Sequence, residues 1–130
     1  MKIVINEPPK SKKNSMQIVK LGNRYTLVQS KRYRDYEKSC GKYFEDWDAE
    51  PIDFPVNVKA VFYVDTHRRI DKSNLEAACH DILVKYGVLK DDCRDIIAST
   101  DGSRVYYDKQ RPRTEIEITP YDGEYEVWKS

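Results

Sequence analysis

No apolar run in the chain approaches the roughly 20 residues that cross a bilayer, so a membrane-spanning role is excluded. The first residues, MKIVINEPPK, do not read as a targeting segment, so none is expected. The three cysteines (Cys40, Cys79 and Cys93) form no C-x-x-C pair and cannot all pair with one another. Together these absences point to a reduced, cytoplasmic protein rather than a secreted, disulfide-stapled one. Neither an internal repeat nor a low-complexity segment interrupts the 130 residues, and that length fits one domain over residues 1–130. Apolar residues make up only 39% of the chain, enough for one core without surplus, so a dimer interface would be a useful second source of burial.

What the chain does have is charge, unevenly placed. Residues 1–43 carry eleven Lys/Arg against three Asp/Glu, a net of +8. Residues 44–130 carry twelve against nineteen, a net of −7, and the two halves nearly cancel to the overall +1. Such separation suggests one surface that attracts a polyanion and another that concentrates carboxylates. Chemistry on a nucleic-acid backbone needs both: phosphates must be held, and metal ions held against them. Ten tyrosines add rings that pack while their hydroxyls stay wet, which suits interfaces and grooves.

The hydrophobic pattern predicts an α+β fold, with two helices on a mixed or mostly antiparallel sheet. Lys2–Ile5 reads as a short edge strand stopped by Pro8-Pro9, and a basic loop, Lys10 to Asn14, follows it. Gln17–Val19 and Tyr25–Val28 flank Gly22-Asn23 as a hairpin. A helix begins after Ser30, with Tyr33 and Tyr36 on one face, and the acidic, proline-containing stretch Asp46–Pro55 is a connection. Val56–Asp65 is the clearest strand, alternating Val56, Val58, Ala60, Phe62 and Val64 with more polar neighbours. Leu75, Ala78, Cys79, Ile82, Leu83 and Tyr86 line one face of the clearest helix. Ser73 and Glu76 read as a capping box at its start, and Gly87 closes it. Asp95–Ser99, Arg104–Tyr107 and Thr114–Thr119 complete the strands, with a turn at Asp101-Gly102 between the first two.

Aspartates stand at both ends of that helix: Asp71 before it, Asp91 and Asp92 after it. A helix of about 13 residues is roughly 20 Å long, so its ends meet in one of two ways. Either the chain after Gly87 folds back, with a return strand through Asp95–Ser99 carrying Asp92 or Asp95 towards Asp71, or a second subunit supplies one carboxylate. Two or three converging aspartates suffice for magnesium, which keeps several of its own waters.

The run Arg68-Arg69-Ile70-Asp71-Lys72-Ser73-Asn74-Leu75-Glu76-Ala77-Ala78, then Asp81-Ile82-Leu83, Gly87-Val88 and Asp91-Asp92, resembles the RusA family of Holliday junction resolvases. That family's pattern is an arginine-rich lead, D-x-D-N-x-x-K, a helix with D-A-L, then G and a D-D pair at this distance. Pro8-Pro9, Ser11 and Asn14 are similar to its proline-led N-terminal loop, and Thr114–Thr119 to its closing strand. The resemblance covers most of the chain and is specific over residues 68–92. It implies a homodimeric, magnesium-dependent endonuclease of phage or prophage type, acting in the cytoplasm of a bacterial or phage-infected host. Such an enzyme binds branched DNA, above all four-way junctions, and nicks two strands symmetrically in recombination and repair. Mn2+ is the alternative ion, and neither a nucleotide cofactor nor a membrane is implied.

Carried onto this chain, the family's motif makes Asp71 and Asp92 metal ligands and catalytic, with Asp91 as the other member of the pair and Asn74 as the motif asparagine. Two positions depart: Ser73 replaces an aspartate, and Ala77 replaces a lysine. Lys72 or Lys90 is a candidate for the missing cation, and Asp65 or Asp101 for the missing carboxylate. Lys10, Lys12, Lys13, Lys31, Arg32 and Arg34, with Arg68, Arg69, Lys72 and Asn74 nearer the scissile phosphate, are the candidate DNA contacts. His67 is a candidate phosphate contact, and His80, beside the apolar helix face, is read as structural. Two other readings compete: a junction-binding protein with weak or no cleavage, because of Ser73 and Ala77, and an unrelated phage accessory domain using its tyrosine-rich surface for protein contacts.

Overall fold

The central strand decides the architecture. In a computed structural model that describes residues 1–12 and 16–123, without the side chains of 16, 17 and 29, Val56–Val64 forms β4. The other strands are β1 (Lys2–Ile5), β2 (Met16–Leu21), β3 (Arg24–Gln29), β5 (Ile97–Ser99), β6 (Arg104–Tyr107) and β7 (Arg113–Pro120). The alternation in β4 holds residue by residue: Val56, Val58, Ala60, Phe62 and Val64 are all buried. One edge of β4 pairs antiparallel with β7, which pairs antiparallel with β1. Its other edge is shared by two short parallel strands, β5 at Val56–Asn57 and β6 at Val61–Val64. The fold is therefore α+β with a mostly antiparallel sheet. The Asp101-Gly102 turn forms, with Gly102 at φ 88°, yet it joins two strands that both pair with β4 and not with each other.

Two helices supply just over half of the remaining core, and Ile5, Phe44, Val88, Leu89, Ile96, Ile116 and Ile118 complete it. Helix α1 (Lys31–Cys40) starts where Ser30 Oγ accepts the Tyr33 N–H at 3.2 Å, and it buries Tyr33, Tyr36 and Cys40. Helix α2 (Lys72–Lys85) crosses from β4 to β5 and buries Leu75, Ala78, Cys79, Ile82 and Leu83, the face that the spacing predicts. Its end is a Schellman turn: Val88 N–H donates to Leu83 O at 2.9 Å and Gly87 N–H to Val84 O at 3.1 Å. Gly87 sits there at φ 79°, a conformation that a residue with a Cβ rarely adopts.

Two local expectations shift. The helix begins at Lys72, one residue before Ser73, with Asp71 as its N-cap, so Ser73 lies in the first turn and the capping box does not form. Glu76 reaches back to Lys72 Nζ at 2.7 Å instead, an i,i+4 ion pair. Asp95 is not in a strand either. Ile96 and Ile97 N–H both donate to Cys93 O, which makes a helical turn of that stretch and leaves β5 only Ile97–Ser99. Among the described residues no helix is long and apolar enough to cross a membrane.

The cysteines are all free. Cys40 and Cys79 are buried, and burial pushes both thiols up to about 12, whereas Cys93 is exposed. The thiolate is the reactive form, so one thiol per chain should react with DTNB near pH 8 in the native protein, and three after denaturation. Two or more fast native thiols would contradict this packing.

Candidate active site and nucleic-acid groove

Parallel strands leave an open crevice at their carboxyl ends, and here β4 and β6 both end on the same side, at Val64 and Tyr107. The loop from Asp65 to Asp71 crosses that end and leads into α2. Against it lies a groove of about 570 Å³, lined by Pro9, Lys10, Ser11, Arg32, Val64, Asp65, Thr66, Arg68, Arg69, Ile70 and Leu75. Three parts of the chain build it: the proline-led N-terminal loop, with Pro9 and Ser11 buried, the first turn of α1, and the loop before α2.

Its charge is one-sided. Four cations, Lys10, Arg32, Arg68 and Arg69, face a single lining carboxylate, Asp65. Burial pulls the Lys10 ammonium below its ordinary value; repulsion from Arg32 adds to this and Asp65 opposes it. A half-buried cation beside other cations, short of counter-charge, is a site that an anion would relieve.

Asp71 follows the groove directly. Its Oδ1 lies 3.5 Å from Arg69 Nε, its Oδ2 accepts from Asn74 Nδ2 at 3.4 Å, and its side chain is 46% exposed. It makes no side-chain capping bond to the helix backbone, and its two oxygens face Arg69 and Asn74 instead. Asp91 and Asp92 are both exposed beyond α2, and Asp91 Oδ1 accepts the Asp92 N–H at 2.7 Å. Asp92 acts electrostatically on His80, as do Glu76 and Asp81, although burial dominates and lowers the imidazole below its ordinary value. His80 is nine residues past Asp71, about 13 Å along the helix axis. The return strand, however, attaches to the start of β4, at the end away from Asp71. Among the described residues no three His, Cys, Asp or Glu side chains gather as a metal cluster.

The basic candidates divide in the same way. Lys10, Arg32, Arg68 and Arg69 meet in the groove. Lys12 pairs with Asp81 at 2.8 Å, Lys31 with Asp35 at 3.7 Å, and Lys72 with Glu76 at 2.7 Å. Arg34 is exposed outside the groove lining, and Lys13 and Asn14 lie outside the described residues. Of the candidate replacement carboxylates, Asp65 is in the groove. Asp101 instead closes a turn on Asn57, its N–H donating to Asn57 Oδ1 at 2.7 Å. Asn57 is seven residues upstream of Val64, about 23 Å along the strand.

An aromatic group beside the loop escaped the sequence reading. His67 stacks on Tyr107 with centroids 3.7 Å apart, Tyr106 lies 5.7 Å from Tyr63, and the Arg113 guanidinium covers Tyr63 at 3.6 Å. Asp108 and Glu115 hold Arg113 from either side at 3.0 and 2.7 Å. The only signal was the pair of tyrosines in β6. Their neighbours follow from its parallel pairing with β4, which periodicity does not encode.

The sequence profile of the family described as Endodeoxyribonuclease RusA matches residues 7–119. The chain belongs to the RusA family. The match takes in the N-terminal loop, the groove and every strand except β1, and no curated protein matches the chain. RusA membership carries endodeoxyribonuclease activity of the Holliday-junction-resolving kind, with branched DNA as the substrate. In this RusA chain, the groove gathers Lys10, Arg32, Arg68 and Arg69 on one lining.

Proposed function

We propose that the chain, as one domain over residues 1–130, is a magnesium-dependent, structure-specific endonuclease that resolves four-way junctions by paired symmetric nicks. The observation that carries this reading is the four-cation groove lying directly against Asp71. Lys10, Arg32, Arg68 and Arg69 would hold backbone phosphates there, an interaction that fixes register without reading sequence. Asn74, through its contact with one Asp71 oxygen, would orient the other.

Asp71, Asp92 and Asp91 are the proposed metal ligands and catalytic carboxylates. Carboxylate oxygen is the donor that Mg2+ takes, and Mg2+ needs only one or two such groups beside its waters, so the donor set suits it in kind; Mn2+ would serve as the substitute. Bound there, the ion would polarise the phosphodiester and lower the pKa of a water. The chain's own side chains do the rest: they bring a phosphate to the groove floor and keep its charge compensated. Ser73 contributes no charge, and Lys72, held by Glu76, is less free than Arg69 to replace the cation that Ala77 lacks. Two symmetric nicks require two such sites, which a homodimer provides.

A second reading, junction binding with weak or no cleavage, is favoured by the neutral Ser73 and by the absence, among the described residues, of a cluster of three metal-ligating side chains. One assay decides between them. A labelled synthetic four-way junction is incubated with the protein in Mg2+, in Mn2+ and in EDTA. Paired symmetric nicks in either metal and none in EDTA are expected. Tight, salt-sensitive binding without nicks in any metal would replace the nuclease by the binding protein.

A further inference from the structure

We infer that the β2–β3 hairpin is a contact surface for unstacked DNA bases at the branch point; this rests on the junction-resolving reading above. The hairpin forms a two-stranded sheet of its own, separate from the five-stranded one. Its register pairs Ile18 with Leu27 and Lys20 with Tyr25, which puts all four on one face. Ile18, Tyr25 and Leu27 are 70%, 71% and 58% exposed, and Leu21 at the tip is 64% exposed. A lone hairpin that leaves such a face wet is marginal by itself, so the face is built to be covered.

The charge says by what. Between Met16 and Gln29 there are two cations, Lys20 and Arg24, and no acidic residue. A second copy of the same face would set these cations against themselves with nothing to offset them. A polyanion that also offers π-faces satisfies both halves of the surface. Lys20 Nζ stands 6.0 Å from the centroid of the exposed Tyr25 ring, a pairing of cation and ring suited to a stacked base with its phosphate alongside. The hairpin is also rooted at the groove: Arg32, which lines it, is three residues past the end of β3. Strands of six residues reach about 20 Å, enough to extend from backbone held in the groove to bases beyond it. Within intact duplex those bases are stacked and closed to a side chain; at a junction centre they are available.

The test uses the full chain and four-way junctions carrying 2-aminopurine either at the branch point or in mid-arm. Wild-type protein should change the fluorescence at the branch point and not in mid-arm. The triple variant Ile18→Ser/Tyr25→Ser/Leu27→Ser should lose that signal and bind the junction about tenfold or more weakly. That loss should exceed its loss on linear duplex. Tyr25→Phe, which keeps the ring, should retain the signal. Because all three side chains are exposed, the variant should melt like wild type, and Tyr25→Ala alone provides a milder second variant. An unchanged signal and affinity in the triple variant would overturn the inference while leaving the nuclease reading intact. So would a drop in sedimenting mass on substitution, which would make the hairpin a protein–protein interface. Wild-type protein that neither binds nor cuts the junction would overturn both.

Discussion

Asp71→Asn should lower junction nicking on the order of 10²-fold or more, with junction affinity unchanged or slightly improved. The substitution removes a charge and almost no volume. Asparagine is as good an N-cap as aspartate, and the side chain is nearly half exposed, so the melting temperature should hardly move. A loss of rate can then be read as lost chemistry and not as lost fold. Asp92→Asn should behave similarly, whereas Asp91→Asn should cost less, because the Asp91 carboxylate is already engaged by the Asp92 N–H and an amide oxygen can take its place. Asp101→Asn supplies the control: Asp101 meets Asn57 only through its backbone, in a turn far from the groove, and nicking should persist. Single-turnover nicking at saturating protein, with Kd from gel shift, separates the four variants. Wild-type rates in Asp71→Asn would remove Asp71 from the chemistry.

Much of the scaffold was legible because it is written in local periodicity. The two-residue period of β4 and the three-to-four-residue period of α2 named ten buried side chains, since each period fixes which face a residue occupies before any partner is known. Gly87 was legible for a related reason: an αL stop needs glycine, and the sequence supplies one where the apolar stripe ends. Cap choice was less legible. Asp71 and Ser73 are both good N-caps two residues apart, and Lys72 and Glu76 pair in a way that lets the helix run back to the earlier one.

Non-local pairing accounts for the rest. The alternation within β5 and β6 says that each is a strand, but not that both lie parallel to β4 at opposite ends. That pairing brings Tyr107 to His67 and carries Asp95 away from Asp71. The charge asymmetry foretold a basic surface. Only the fold could separate the cations that face the groove from those, such as Lys12 and Lys31, already paired with Asp81 and Asp35. The family was thus in the sequence as a motif, while which cations face the groove depends on which carboxylates lie near enough to pair with the others.

That division makes the second large effect selective. Arg32→Ala and Arg68→Ala should each weaken junction binding and lower the slope of log Kobs against log salt by about 1, and together by about 2, independent of DNA sequence. Lys31→Ala, which loses a cation already paired with Asp35, should change the slope far less. Lys10 adds a pH signature. Burial first, then Arg32, holds its ammonium below the ordinary 10.5, and a bound phosphate favours the charged form. Binding therefore draws the Lys10 proton in, and affinity should begin to fall on the alkaline side at a lower pH than an ordinary lysine would require. Lys10→Arg stays charged throughout that range, so it should keep the salt slope and lose the alkaline fall. Junction Kd measured from pH 7 to pH 10 at fixed salt, for wild type and Lys10→Arg, reads this directly. Identical profiles would mean that Lys10 does not hold a phosphate, whatever the arginines do.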